Sequence, residues 1–225
     1  MGASAAVGAP GTALAPRVIR VDIQGKSFGG VPVLGRIKFA IAPGETVAIL
    51  GPSGIGKSTL LRIVAGLDRD YDGEVSASGR LGIVFQEPTL LPWRSVRDNI
   101  RLVHPDLADA GVMDALDRVG IGDRADLFPG QLSLGQQRRL SLARAFAGKP
   151  DALMMDEPFV SLDPDTGERM LALSERLIAD ARPATLFVTH ALAEAERLAD
   201  RALELGGDPA EIVRQWRPGR AIPKP

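Results

Sequence analysis

The feature that most constrains this 225-residue chain is a glycine-rich loop between two patterned segments. Residues 46–50 are β-branched or apolar and predict a buried strand, whereas residues 60–64 favour a helix. Between these segments the sequence is Gly51-Pro52-Ser53-Gly54-Ile55-Gly56-Lys57-Ser58-Thr59. The spacing fits the phosphate-binding P-loop pattern, and the strand-to-helix context is the one that this pattern requires.

The residue types of the loop suit a bound nucleotide. Glycines let the backbone curl around a phosphate with its N–H groups pointing inward, and the following helix adds its positive N-terminal end. We expect Lys57 to contact the β- and γ-phosphates and Ser58 to be a ligand of Mg²⁺. The alternative is a turn that only caps a helix. The combination of strand, loop, lysine, hydroxyl and helix disfavours it.

Composition restricts the class of protein. The formal net charge is −1, with 24% charged and 45% hydrophobic residues, which is typical of a folded globular chain. A balanced charge gives no global basic field, so we expect no nucleic-acid partner. The absence of cysteine excludes disulfides and fits a reducing compartment, so the cytoplasm is expected. No run approaches the roughly 18 apolar residues of a membrane span.

Hydrophobic periodicity predicts strands alternating with helices, which indicates an α/β fold with a largely parallel sheet. The predicted strands are residues 17–24, 36–42, 73–76, 81–85, 153–155, 185–188 and 201–205, the first two antiparallel and separated by a turn at 25–30. The predicted helices start at Ser95, 108, Ser133, Pro164 and 191. The interval between the strands at 81–85 and 153–155 has only helical patterns.

These patterns also predict the domain organisation. We expect a flexible tail at residues 1–16, one domain at 17–216 with a helical subdomain at about 87–146, and a second tail at 217–225. The core fold is a P-loop NTPase with a mostly parallel sheet and an antiparallel N-terminal part.

A second candidate site follows the apolar residues 152–155, which end in Asp156 and Glu157. The carboxyl ends of strands in an open α/β sheet are where ligands bind, so this pair is expected beside the P-loop. Asp156 suits Mg²⁺ coordination, directly or through water. Glu157 suits orienting or deprotonating an attacking water. The alternative is an acidic strand end before the turn at Pro158.

A third candidate is the segment Leu132-Ser133-Leu134-Gly135-Gln136. Ser133 and Gln136 have the spacing of a capping box, so a helix begins here and its free N–H groups can bind an anion. Taken alone, the box is only a helix start. Its place shortly before a strand that ends in two carboxylates resembles the signature motif of ATP-binding cassette (ABC) ATPases.

This resemblance extends over about residues 18–205, with the motifs in the family's order, and implies ATP and Mg²⁺ as ligands. The implied roles are adenine stacking for Phe28, phosphate binding for residues 51–59, contact with Mg²⁺ and water for Gln86, the signature for Ser133, Gly135 and Gln136, Mg²⁺ binding and catalysis for Asp156 and Glu157, the D-loop for Asp163, and a γ-phosphate contact for His190.

Several of these positions have another interpretation. Phe28 also fits a half-buried aromatic at a strand end. His104 is interpreted as structural, and Arg138 and Arg139 as a solvated helix face. The family usually has glycine at the position of Leu134, where leucine favours a helix by up to about 1 kcal/mol. At this position we expect at most an altered closure around nucleotide.

The resemblance also implies partners. Two copies of such chains pack head to tail, with each ATP between one P-loop and the other copy's signature. Residues 86–100 are similar to the segment through which importer ATPases for nitrate, sulfonate and taurine contact a separate permease. Leu91 and Trp93 suit that docking patch, although Trp93 also fits a subdomain core.

We therefore predict the ATP-hydrolysing subunit of an ABC importer, peripheral on the inner face of the cell membrane. Its expected partners are a second copy, membrane permeases and, indirectly, an extracytoplasmic solute-binding protein. The alternatives are a soluble ABC ATPase that is not coupled to transport and a weakly hydrolysing regulatory module.

Overall fold

The computed structural model describes residues 18–219. The predicted tail at 1–16 and residues 220–225 of the second predicted tail lie outside this range. The described chain forms ten strands in two sheets, six α-helices and two short 3₁₀ turns.

The first sheet is antiparallel and built around β1 (Ile19–Phe28), which pairs with β2 (Val31–Leu34), β3 (Ile37–Ile41) and β5 (Asp72–Ala77). The predicted antiparallel pairing of β1 with β3 is confirmed. The predicted turn at 25–30 is wrong, because β1 continues to Phe28 and only Gly29 and Gly30 make the turn. Both glycines have positive φ, 56° and 82°, which a tight turn requires here. The strand β2 is not predicted, since Pro32 disfavours a strand.

The second sheet has the order β10-β9-β4-β8-β7-β6 and is parallel except at β10, which pairs antiparallel with β9. Its strands are β4 (Thr46–Leu50), β6 (Leu81–Val84), β7 (Ala152–Asp156), β8 (Ala184–Val188), β9 (Arg201–Gly206) and β10 (Glu211–Trp216). The predicted parallel sheet is confirmed. The predicted strand at residues 201–205 is confirmed as β9, and the edge strand β10 that follows it is not predicted.

The helices lie where the periodicity predicts them. They are α1 (Lys57–Val64), α2 (Val96–Arg101), α3 (Asp109–Arg118), α4 (Leu134–Ala147), α5 (Pro164–Ala181) and α6 (Leu192–Leu198), with 3₁₀ turns at Gly122–Arg124 and Pro129–Gln131. Every element described between β6 and β7 is helical, as predicted. In this interval α4 packs on β6, α3 and α5.

Hydrophobic residues form a core on each face of the parallel sheet. In β4, Val47 and Ile49 belong to the core shared with α1 and the antiparallel sheet, whereas Ala48 and Leu50 belong to the core shared with α2 to α5. All five residues of β4 are buried. The end of β4, where the P-loop begins, is thus fixed from both sides. No helix between residues 18 and 219 is long and apolar enough to cross a membrane.

Two leucines near the P-loop give a matched test of this packing. Leu60 in α1 is 0% exposed, and Leu67, beyond the helix, is 56% exposed. We expect Leu60→Ala to lower the free energy of unfolding by about 2–5 kcal/mol through loss of buried area and a residual cavity. Leu67→Ala is expected to change it by at most about 0.5 kcal/mol. Urea denaturation measures both, and equal effects would contradict the described packing.

Candidate nucleotide-binding site

The P-loop joins the buried end of β4 to α1 and depends on glycine at the helix start. Gly56 is the N-cap of α1 with φ of 108°. A Cβ added to Gly56 would lie 2.6 Å from Cδ2 of Leu34, so a side chain would be strained and would clash. Lys57 begins the helix directly after this glycine. The first N–H groups of α1, which have no partner within the helix, therefore lie at the loop.

Lys57 is 4% exposed and its ammonium is held by the loop itself. Nζ donates to the carbonyl oxygens of Gly51 at 2.9 Å and Pro52 at 3.0 Å. The same Nζ lies 3.5 Å from Oε1 of Glu157. The loop lysine is thus fixed beside the carboxylate that follows β7.

Ser58 connects the P-loop helix to β7. Its Oγ donates a hydrogen bond of 2.8 Å to Oδ1 of Asp156, which is 5% exposed. Burial raises the pKa of the Asp156 carboxyl, and the hydrogen bond from Ser58 acts in the opposite direction. Hydroxyl and carboxylate oxygens are ligands that suit Mg²⁺. Among residues 18–219 no group of three or more acidic, histidine or cysteine side chains is placed to hold a metal.

Glu157 lies between two nitrogen-bearing side chains. Its Oε2 is 3.3 Å from Nδ1 of His190, while its Oε1 faces Lys57. The Glu157 side chain is 15% exposed and that of His190 is 52% exposed. The position of His190 follows from β8, because Thr189 comes directly after this strand and its hydroxyl donates to the Glu194 carboxylate.

One cavity of about 510 Å³ unites half of the predicted site residues. Val33 lies beside the P-loop in it, since a Cβ added to Gly56 would lie 3.2 Å from Cγ1 of Val33. The cavity is lined by Phe28, Val33, Ser53, Gly54, Gly56, Lys57, Ser58, Thr59, Gln86 and Glu157. Phe28 is the last residue of β1 and is 51% exposed, so it fits the half-buried aromatic at a strand end and also lines this cavity. Lys26 Nζ lies 4.5 Å from the centroid of its ring.

The signature residues lie elsewhere. Ser133 caps α4 through two reciprocal hydrogen bonds with Gln136. The Ser133 N–H donates to the Gln136 Oε1 at 2.9 Å, and the Gln136 N–H donates to the Ser133 Oγ at 3.3 Å. With Gly135 they line a separate cavity of about 310 Å³. Asp163 caps α5 by accepting from the Thr166 N–H at 3.0 Å, and this bond lowers the pKa of its carboxyl. None of these four residues lines the P-loop cavity.

The interpretation of Arg138 and Arg139 as a solvated face is wrong. Arg138 is 7% exposed and donates to backbone carbonyls of residues 158 and 160, and Arg139 donates to the Val119 carbonyl at 2.9 Å. Both side chains reach these carbonyls because α4 packs on the elements around it. The structural interpretation of His104 is confirmed, since its Nε2 lies 2.8 Å from the Arg144 carbonyl oxygen. Trp93 is 70% exposed and is therefore not core.

Sequence reasoning missed two contributors to the site. Val33 lies on the unpredicted strand β2, where Pro32 obscures the strand pattern. Glu194 reaches Thr189 from the first turn of α6, and burial raises the pKa of its carboxyl. The position of Glu194 early in a helix after His190 is the only sequence signal for it.

Comparison with known proteins decides the family. The ABC transporter family model matches residues 34–160, more than half of the chain. The chain belongs to the ABC transporter family. It is an ABC ATPase with the P-loop NTPase fold, as the sequence predicts.

Relatives within the family cover most of this chain. An aliphatic sulfonates import ATP-binding protein of Pseudomonas aeruginosa is 41% identical over 88% of this chain and 86% of its own length. Another, of Nocardia farcinica, is 49% identical over 83% of this chain and 76% of its own length. A dimeric, post-hydrolysis structure of the ATP-binding cassette MJ0796, bound to ADP and Pi, superposes with a TM-score of 0.77. It is 27% identical and covers 88% of this chain and 98% of that one.

The geometry around Lys57 predicts the effect of removing it. Lys57→Ala should weaken ATP binding at least about tenfold, because charge-assisted hydrogen bonds to the phosphates are lost. Equilibrium titration with a fluorescent ATP analogue measures this. Lys38→Ala is the control, since the Lys38 side chain is 65% exposed and pairs with Asp22 on the antiparallel sheet. Unchanged binding by Lys57→Ala would contradict the P-loop assignment.

Proposed function

We propose that this chain is the ATP-hydrolysing subunit of an ABC importer for a small solute such as an aliphatic sulfonate, nitrate or taurine. The observation that carries the proposal is its likeness to import ATP-binding proteins across nearly its whole length. Eight such relatives are 40–49% identical over 83–92% of this chain. The relatives' names give only aliphatic sulfonates, and nitrate and taurine rest on the resemblance of residues 86–100, because the solute is selected by other subunits.

The proposed ATP site is the cavity at the P-loop. Phe28 stacks on adenine with Val33 beside it, and residues 51–59 surround the phosphates. Ser58, Asp156 and Gln86 would hold Mg²⁺ through their oxygen atoms, and the ion would neutralise phosphate charge when bound.

Glu157 is the proposed catalytic residue. Lys57 at 3.5 Å and His190 at 3.3 Å hold its two carboxylate oxygens in a fixed orientation. A carboxylate so held can orient and deprotonate the attacking water. The half-exposed His190 ring leaves its second nitrogen for the γ-phosphate. Together these groups support hydrolysis rather than binding alone.

The same site is incomplete within one chain. Ser133, Gly135 and Gln136 line their own cavity, so the free N–H groups at the start of α4 do not face the chain's own P-loop cavity. We propose that a second copy, packed head to tail, brings its signature residues and Asp163 to this nucleotide. The MJ0796 relative is a dimer. ATP would hold the closed state, and loss of the γ-phosphate would release it.

The importer also requires a permease contact. Leu91 is partly buried and Trp93 projects with 70% exposure, directly after Gln86 and its loop. An exposed tryptophan in such a place suits a protein interface. We propose that this patch binds cytoplasmic helices of the permease, which places the chain on the inner face of the membrane. An extracytoplasmic solute-binding protein then completes the importer.

Purification from native membranes tests the importer proposal. A tagged chain should recover its permease. The Trp93→Ala variant should recover at least about tenfold less permease, because the aromatic side chain that anchors the proposed interface is lost. The control is Val213→Ala, an apolar side chain with 61% exposure on β10 at the opposite edge of the sheet. The recovered permease is then identified and assayed for sulfonate uptake. Recovery without any permease, or on nucleic acid, would contradict the proposal.

A further inference from the structure

The loop that carries Glu157 has an unusual backbone. Glu157 has φ of 40°, in the left-handed region that residues other than glycine rarely adopt. It starts a turn closed by a 3.3 Å bond from the Val160 N–H to the Glu157 carbonyl. Such a conformation persists only where surrounding contacts determine it. The direction of the carboxylate therefore depends on what holds this turn.

The Arg138 side chain binds the backbone carbonyls of this turn. Its Nη1 donates to the Pro158 carbonyl at 2.9 Å and its Nη2 to the Val160 carbonyl at 2.7 Å. The two nitrogen atoms of one planar guanidinium thus bind two carbonyls of one turn. Hydrogen bonds from a charged donor are shorter and stronger than neutral ones, and the rigid fork fixes their direction.

The Arg138 guanidinium has no carboxylate partner among residues 18–219. It is 7% exposed, and burial lowers its pKa. Its Nε, also buried, has no hydrogen-bond partner. A buried cation is costly unless it is compensated, and here the two turn carbonyls are the compensation. The arginine and the turn conformation therefore stabilise each other.

The same arrangement recurs at the other loop of the site. Arg144, also on α4, donates to the Pro88 carbonyl at 3.0 Å and the Thr89 carbonyl at 2.9 Å, close after Gln86. Thr89 is likewise left-handed, with φ of 46°. Since α4 starts at the signature cap Ser133, one helix joins the signature to the loops after Gln86 and Glu157.

We propose that Arg138 is a positioning residue for ATP hydrolysis, through which α4 fixes the turn that aims the Glu157 carboxylate. In this role Arg138 touches neither the nucleotide nor the attacking water. It acts through the carbonyls of Pro158 and Val160. The inference rests on the proposed catalytic role of Glu157.

The test compares Arg138→Met and Arg138→Lys with Arg176→Met and Glu157→Gln in steady-state ATPase assays. Arg176 is the control because it is an exposed arginine of α5 that also donates to a carbonyl, that of Arg118 at 2.8 Å, which belongs to α3 and to neither loop. We expect Arg138→Met to lower kcat about 10- to 100-fold with unchanged ATP affinity, as for a misplaced catalytic group. Arg138→Lys should be intermediate, because an ammonium cannot bind both carbonyls as a fork. Arg176→Met should match the unmodified chain.

The outcomes separate this inference from the proposed function. If Glu157→Gln retains turnover, the catalytic role of Glu157 is wrong. If Glu157→Gln is inactive while Arg138→Met keeps the original kcat, only the positioning role is overturned. If Arg138→Met loses ATP affinity in parallel with kcat, the positioning role is also overturned, because the substitution then disturbs the structure generally. If Arg138→Met does not fold, as judged by thermal melting, Arg138→Lys decides: reduced kcat at unchanged affinity supports the role, and the original kcat overturns it.

Discussion

The hydrogen bond between Ser58 and Asp156 is the contact on which the rest of the site depends. It ties the first turn of α1, which follows β4, to the end of β7. These strands are separated by β8, so the bond requires the order and parallel register of three buried strands. That register also sets Glu157 beside Lys57 and His190 beside Glu157. The chemistry at the sheet edge is therefore a consequence of strand pairing in the core.

The P-loop residues and the signature cap line two separate cavities of one chain. In the proposed function these are two half-sites, and hydrolysis then depends on assembly, because no single copy has both halves in one place. Helix α4 is the element that connects them, since it carries the signature cap at its start and two arginines, Arg138 and Arg144, that donate to carbonyls of both loops.

Local motifs predict the backbone elements of the candidate site well. Glycine spacing, a strand ending in carboxylates and a capping box are encoded by adjacent residues, and each lies where expected. Strands β2 and β10 are not predicted, because a proline interrupts one and polar and apolar residues do not alternate regularly in the other. The burial of Arg138 is not predicted for a different reason. Its partners are backbone carbonyls, which side-chain patterns do not reveal, and they converge at a turn that begins at the left-handed Glu157.

Hydrolysis of each ATP between two copies can be tested by mixing two inactive variants. Lys57→Ala disables the P-loop of one copy, and Ser133→Arg disables the signature of the other. In a mixed head-to-tail dimer, one of the two sites combines an intact P-loop with an intact signature. If each ATP lies between two copies, the mixture should have ATPase activity well above that of either variant alone. A mixture no more active than the separate variants would contradict it.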